Sequence, residues 1–218
     1  MYLSIAIIIA LSGAPKGNSW MTADPAEYNT TDWKLETESG DIKLYSRWVQ
    51  INEDLRVRER KGIFTAHCTV EQAVLYICDA SNALFWMKGV KESYILKKYP
   101  ESEWSTYMLY SVPWPFDNRD LVSHYKMKRD TVAIRIIVDM DSEEGIIPEK
   151  EGVQRIKTFH GSWELDQIND QQTRVIFVAR TDEGPAFPRW IQDPVVRKAF
   201  MSNLRKLQQI LNEQLVLE

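Results

Sequence analysis

The chain has 218 residues, 44% of them apolar, with nine Gly and nine Pro spread thinly. That length carries one domain or two with a core that needs no staples, and the composition excludes disordered, collagen-like and coiled-coil chains. A net charge of −4, from 27 basic and 31 acidic residues with no run of one sign, argues against a nucleic-acid footprint or a polybasic membrane patch.

Leu3 to Leu11 is an apolar run, too short to cross a bilayer core of ~30 Å as a helix. Small residues follow it (Ser12, Gly13, Ala14, then Gly17-Asn18-Ser19), which is the pattern of a secretory leader over 1–19, cut after Ser19. The leader lacks an early Lys or Arg, and Ile5 to Ile9 equally suits a buried N-terminal strand. Export to the periplasm or medium is the expectation, with a cytoplasmic location as the alternative. No cysteine directly follows the run, which disfavours a bacterial lipoprotein anchor.

From Thr31 the period is two. Trp33 to Glu38, the turn Ser39-Gly40-Asp41 and Ile42 to Trp48 read as a hairpin, and Leu55 to Arg60 as a third strand with Arg56, Arg58 and Arg60 on its polar face. At Thr69, a predicted N-cap, the spacing turns helical through Val70, Ala73, Val74, Ile77 and Cys78. Asn82 to Val90 is a second helical piece or a bend. Strands are predicted at 93–98, 104–112, 121–128 and 132–140, where Val132, Ile134, Ile136 and Val138 share a face. A charged connection, 141–152, leads to a last hairpin of 153–165 and 173–180. One long helix, 188–217, closes the chain, its apolar stripe made by Val196, Phe200, Leu204, Leu207 and Leu211. This order predicts one α+β domain over 20–218: a curved antiparallel sheet of eight or nine strands with helices on one face, enclosing space for an apolar ligand.

Catalytic signals are thin. His67-Cys68 and Cys78 lack metal-ligand spacing, so buried thiols are expected, and helical rise places the two cysteines too far apart to bridge. No Gly-x-Ser-x-Gly elbow is present. His160 and Ser162 lie in a strand beside Gly161, and the 143–151 carboxylates fit a solvated connection. Arg135, alone on the polar side of an apolar strand, is either a cavity charge or, favoured, an outward solvated arginine. Arg119-Asp120 reads as an ion pair fixing the loop 113–118, or with Arg119 at the mouth of a ligand site.

Two segments carry a family resemblance: Val112-Pro113-Trp114-Pro115-Phe116-Asp117-Asn118-Arg119-Asp120-Leu121-Val122, and Asp182-Glu183-Gly184-Pro185-Ala186-Phe187-Pro188-Arg189-Trp190-Ile191 leading into Asn203-Leu204-Arg205-Lys206-Leu207. With Gly161 in its hairpin, the chain resembles the START (steroidogenic acute regulatory protein-related lipid transfer) domains, of the helix-grip group that includes polyketide cyclases and birch-pollen-allergen relatives. It looks like a bacterial-type, single-domain member. The resemblance implies a helix-grip fold, a hydrophobic tunnel under the last helix gated by 182–193, and lipid binding or transfer without metal or organic cofactor. Its implied partners are one lipid or other apolar molecule and a transient membrane contact, in a monomer that binds no nucleic acid. The implied tunnel and lid candidates are Thr106, Met108, Tyr110, Tyr125, Arg135, Phe187, Trp190, Val196, Phe200, Leu204 and Leu207, with Arg119 and Asp120 as a structural motif. Where cholesterol-binding members carry an acid and an arginine, this chain has Thr106 and Tyr125, which argues against sterol specificity. The alternative is a cyclase or hydrolase of the same fold, using Tyr125, His160 and Arg135.

Overall fold

The computed structural model describes residues 30–112, 117–181 and 192–213 in full, and the backbone of 12–13, 184–185 and 189–191. The element order is β1 (Ser12–Gly13), β2 (Lys34–Ser39), β3 (Ile42–Gln50), β4 (Arg56–Ala66), α1 (Val70–Cys78), a 3-10 turn (Ala80–Asn82) and α2 (Ala83–Trp86). Then follow β5 (Val90–Tyr99), β6 (Glu103–Tyr110), β7 (Asn118–Asp130), β8 (Arg135–Ser142), β9 (Val153–Ile156), β10 (Phe159–Asn169), β11 (Gln172–Thr181), β12 (Gly184–Pro185) and α3 (Arg189–Glu213). The α+β helix-grip expectation holds: one large sheet backs a long C-terminal helix.

Strand order in the sheet is β2-β3-β4-β11-β10-β8-β7-β6-β5, all antiparallel, while β9 adds to β7 in parallel; β1 and β12 form a separate pair. The hairpin of β2 and β3 turns at Gly40, whose φ of +63° is open to glycine at no steric cost. Helix α1 starts where a capping box satisfies its first amides: Gln72 N donates to Thr69 Oγ1 at 3.2 Å and Thr69 N to Gln72 Oε1 at 2.9 Å.

Three expectations are corrected. The strand predicted at 132–140 starts only at Arg135, because Asp130 Oδ1 accepts from Val132 N and Ala133 N and turns the chain there; Val132 is 94% exposed and Ile134 has φ +47°. The strand predicted at 153–165 is two strands. Ser142 sits in the break, donating to Lys157 O at 2.7 Å and accepting from Phe159 N at 3.1 Å. Arg56, Arg58 and Arg60 share a face with Gly62 and Phe64; Arg56 is exposed as expected, but at Arg58 and Arg60 that face is covered by the start of α3 rather than solvated. Arg60, 5% exposed, pairs with Asp193 at 3.1 Å and Glu36 at 3.4 Å, and Arg58 with the same two carboxylates.

The core lies between the concave face of the sheet and the helices. Helix α3 packs on β3 and β4, closest at Gly62, while α1 packs on β8, β10 and β11. A run of aromatic contacts ties the layers together. Trp86 meets Trp163 edge-on at 5.9 Å, Trp163 stacks on Phe177 at 4.2 Å, and Phe177 on Phe200 at 5.4 Å.

Candidate functional site

Beneath the bend between α1 and α2 the concave face leaves a cavity. Strand β6 supplies every second side chain to it, Trp104, Thr106, Met108 and Tyr110, as the period of a strand requires. Leu121 and Tyr125 of β7 lie beside them. The bend from Ile77 to Met87 forms the opposite wall, and Trp163, Phe177 and Phe200 close one end. The enclosed space is about 50 Å3. That is well below the ~300–1,000 Å3 of small-molecule pockets. The open tunnel expected from the resemblance is therefore contracted to a narrow apolar void.

Among the described residues the polar groups lining this void are few, and Asp79 is the one carboxylate. Trp104 stacks on Tyr125 at 5.2 Å, and its buried indole N–H has no hydrogen-bond partner. The Tyr110 hydroxyl donates to Met108 Sδ at 2.9 Å. Burial pushes the Tyr125 phenol up to about 12, against a smaller opposing effect of the Thr106 hydrogen bond. It raises Tyr110 further, and it holds the Cys78 thiol at about 12. All three stay protonated at neutral pH. Asp79, an exposed residue at the rim, is occupied in accepting from Ser81 N and Oγ.

Of the predicted ligand residues, the structure brings together Thr106, Met108, Tyr110, Tyr125 and Phe200. Val196, Leu204 and Leu207 are buried in the packing of α3 on the sheet and do not line the void. Phe187, and the side chain of Trp190, lie outside the described residues. Arg135 is corrected as a tunnel residue. It points to the outer face, paired with Asp166 and with Glu164 at 3.4 Å. Sequence reasoning missed Trp86, Trp163 and Phe177, whose signal was the dense apolar run 84–87 and the inward alternation of the last hairpin.

Arg119 and Asp120 do not form the expected pair, because neighbours on a strand point to opposite faces. Asp120, fully buried, accepts two bonds from Arg155 of β9, at 2.7 and 3.0 Å, and Arg155 also donates to Ile147 O and Pro148 O. The loop 113–116 lies outside the described residues.

The enzyme alternative finds no assembled site. Tyr125 faces the void, whereas His160, paired with Asp141 at 2.7 Å, and Arg135 are on the outer face. One outer cluster imitates a triad: His124 Nε2 is 2.9 Å from Glu103, and His124 Nδ1 is 3.5 Å from Ser105 Oγ. Yet Ser105 is fully buried and its hydroxyl is given to Glu143, so no substrate reaches it. Cys68 and Cys78 are both free, and no group of metal-ligating side chains occurs among the described residues.

Comparison with known proteins follows the same line. No protein-family model matches the chain. An uncharacterized protein of Pseudomonas aeruginosa is 26% identical over 176 residues, covering 81% of this chain and 85% of that one. The phosphatidylcholine transfer protein of Rattus norvegicus is 24% identical over 180 residues, covering 81% and 82%. The crystal structure of a STAR-related lipid transfer protein fragment from Xanthomonas axonopodis superposes with a TM-score of 0.71 at 26% identity, over 82% of this chain and 98% of that one. The likeness to the STAR-related lipid transfer proteins, drawn above from residues alone, holds in sequence and in fold.

Proposed function

We propose that this START-like chain binds one lipid or other apolar molecule inside the sheet and carries it through water. The observation that carries the reading is the void itself, an aromatic and aliphatic chamber under the α1–α2 bend, beside α3. Its likeness to a phosphatidylcholine transfer protein supports the same reading. Each methylene moved from water into such a chamber contributes ~0.8 kcal/mol, so a ten-carbon chain contributes about 8 kcal/mol before ordering costs.

At about 50 Å3 the chamber must widen to take cargo. Met87, Met108 and Met140 line it, and their unbranched thioethers repack at small cost. The α1–α2 bend is a short wall that can lift from the sheet. We place the second gate in the loop 182–193, with Trp190 meeting the membrane in a brief encounter of a monomer. Native mass spectrometry of freshly purified protein is expected to show a co-purifying apolar mass, and Trp190→Ala to slow lipid transfer between vesicles. Protein that neither holds nor exchanges any apolar molecule ends the carrier reading. An unchanged rate in Trp190→Ala removes only the lid.

Export by the 1–19 leader belongs to the same proposal. N-terminal sequencing of protein recovered outside the cytoplasm is expected to begin at Trp20. An intact Met1 in cytoplasmic protein overturns it.

A further inference from the structure

The cargo's polar group can be specified further, on the premise that the chamber carries cargo at all. Buried donors are left without acceptors only at a cost of ~1–3 kcal/mol each. The chamber contains one such donor and one nearly so. Trp104 is 8% exposed, and its indole N–H, which can only donate, has no partner. Tyr110, 2% exposed, spends its hydroxyl on a thioether, a weak acceptor. Both side chains project from β6 on the same face, with Thr106 and Met108 between them.

No Lys, Arg or His lines the chamber among the described residues. Arg119, which stands across from Tyr110 in the sheet, has interactions of its own and does not line it. Asp79, the sole carboxylate lining it among the described residues, is exposed and engaged. An ionised headgroup placed inside would therefore lose its hydration without gaining a counter-charge, which is the more expensive burial.

We propose that the chamber selects a neutral apolar molecule presenting an acceptor oxygen, of the ketone, ester or ether class, to the Trp104 indole, the buried donor without a partner. A phosphate, carboxylate or ammonium group is then excluded from the interior.

The test is a ten-carbon probe series titrated into the full chain and followed by tryptophan fluorescence: decane, 2-decanone, decanoate and decyltrimethylammonium. The ketone is expected to bind about tenfold more tightly than decane, and both ions more weakly than decane. In Trp104→Phe the ratio of ketone to decane affinity is expected to fall towards one; thermal melts check that the variant folds. Either ion binding as tightly as the ketone overturns the inference while leaving the carrier reading intact. So does a wild-type ketone-to-decane ratio near one, which needs no variant to read. Binding of none of the four probes overturns the carrier reading and the inference with it.

Discussion

Gly62→Val is expected to lower the thermal midpoint by roughly 10 °C, from ~3 kcal/mol of overpacking at 2–4 °C per kcal/mol for a chain of this size. A Cβ at position 62 would stand 2.2 Å from Leu204 Cδ1 and 3.0 Å from Phe200 Cε1. Leu204 and Phe200 are themselves buried to within 1%, so neither can swing away without disturbing the rest of α3. Valine has the better intrinsic preference for a strand, so a loss of stability isolates the clash from propensity. Gly62→Val with Leu204→Ala should recover part of the loss by making room for the new side chain. Scanning calorimetry on the three proteins decides it. A Gly62→Val midpoint at or above that of the parent would mean that α3 does not press on β4 as described.

The second large effect is expected at Asp120→Asn, at about 3–5 kcal/mol of lost stability. Asp120 is 0% exposed and Arg155 8%, bound in a two-pronged geometry at 2.7 and 3.0 Å. Asparagine keeps the shape but leaves a buried cation without its counter-charge. Asp120→Leu with Arg155→Met removes both charges and should restore most of the stability, because a buried ion pair gives little over a well-packed apolar pair. Urea unfolding of the two variants separates these cases. Equal midpoints for Asp120→Asn and the parent would show that Arg155 holds the 147–148 connection without help from Asp120.

Much of this architecture was readable along the chain. The Thr69 cap, the helical spacing of α1, the stripe of α3 and the period of β3, β4, β6 and β11 are local properties, set by which residues alternate or recur. The half of the site on β6, Thr106, Met108 and Tyr110, came from the family resemblance; the period of the strand accounts for their sharing one face. The turn at 131–134 escaped because the alternating β-branched Val132 and Ile134 outweighed the Asp130 side chain that bends the backbone.

Spacing along the chain, then, determined the kinds of element, their order and which face of each is apolar, since these depend on neighbours a few residues away. Tertiary structure alone decided that Asp120 answers Arg155, 35 residues on, instead of adjacent Arg119. It also decided that Arg135 faces out, and that Phe200 of the helical stripe borders the void while Leu204 and Leu207 fill solid core. The physical reason is that a pattern records how apolar a position must be. How much empty space remains beside it depends on how two curved surfaces, far apart in sequence, come to rest against each other.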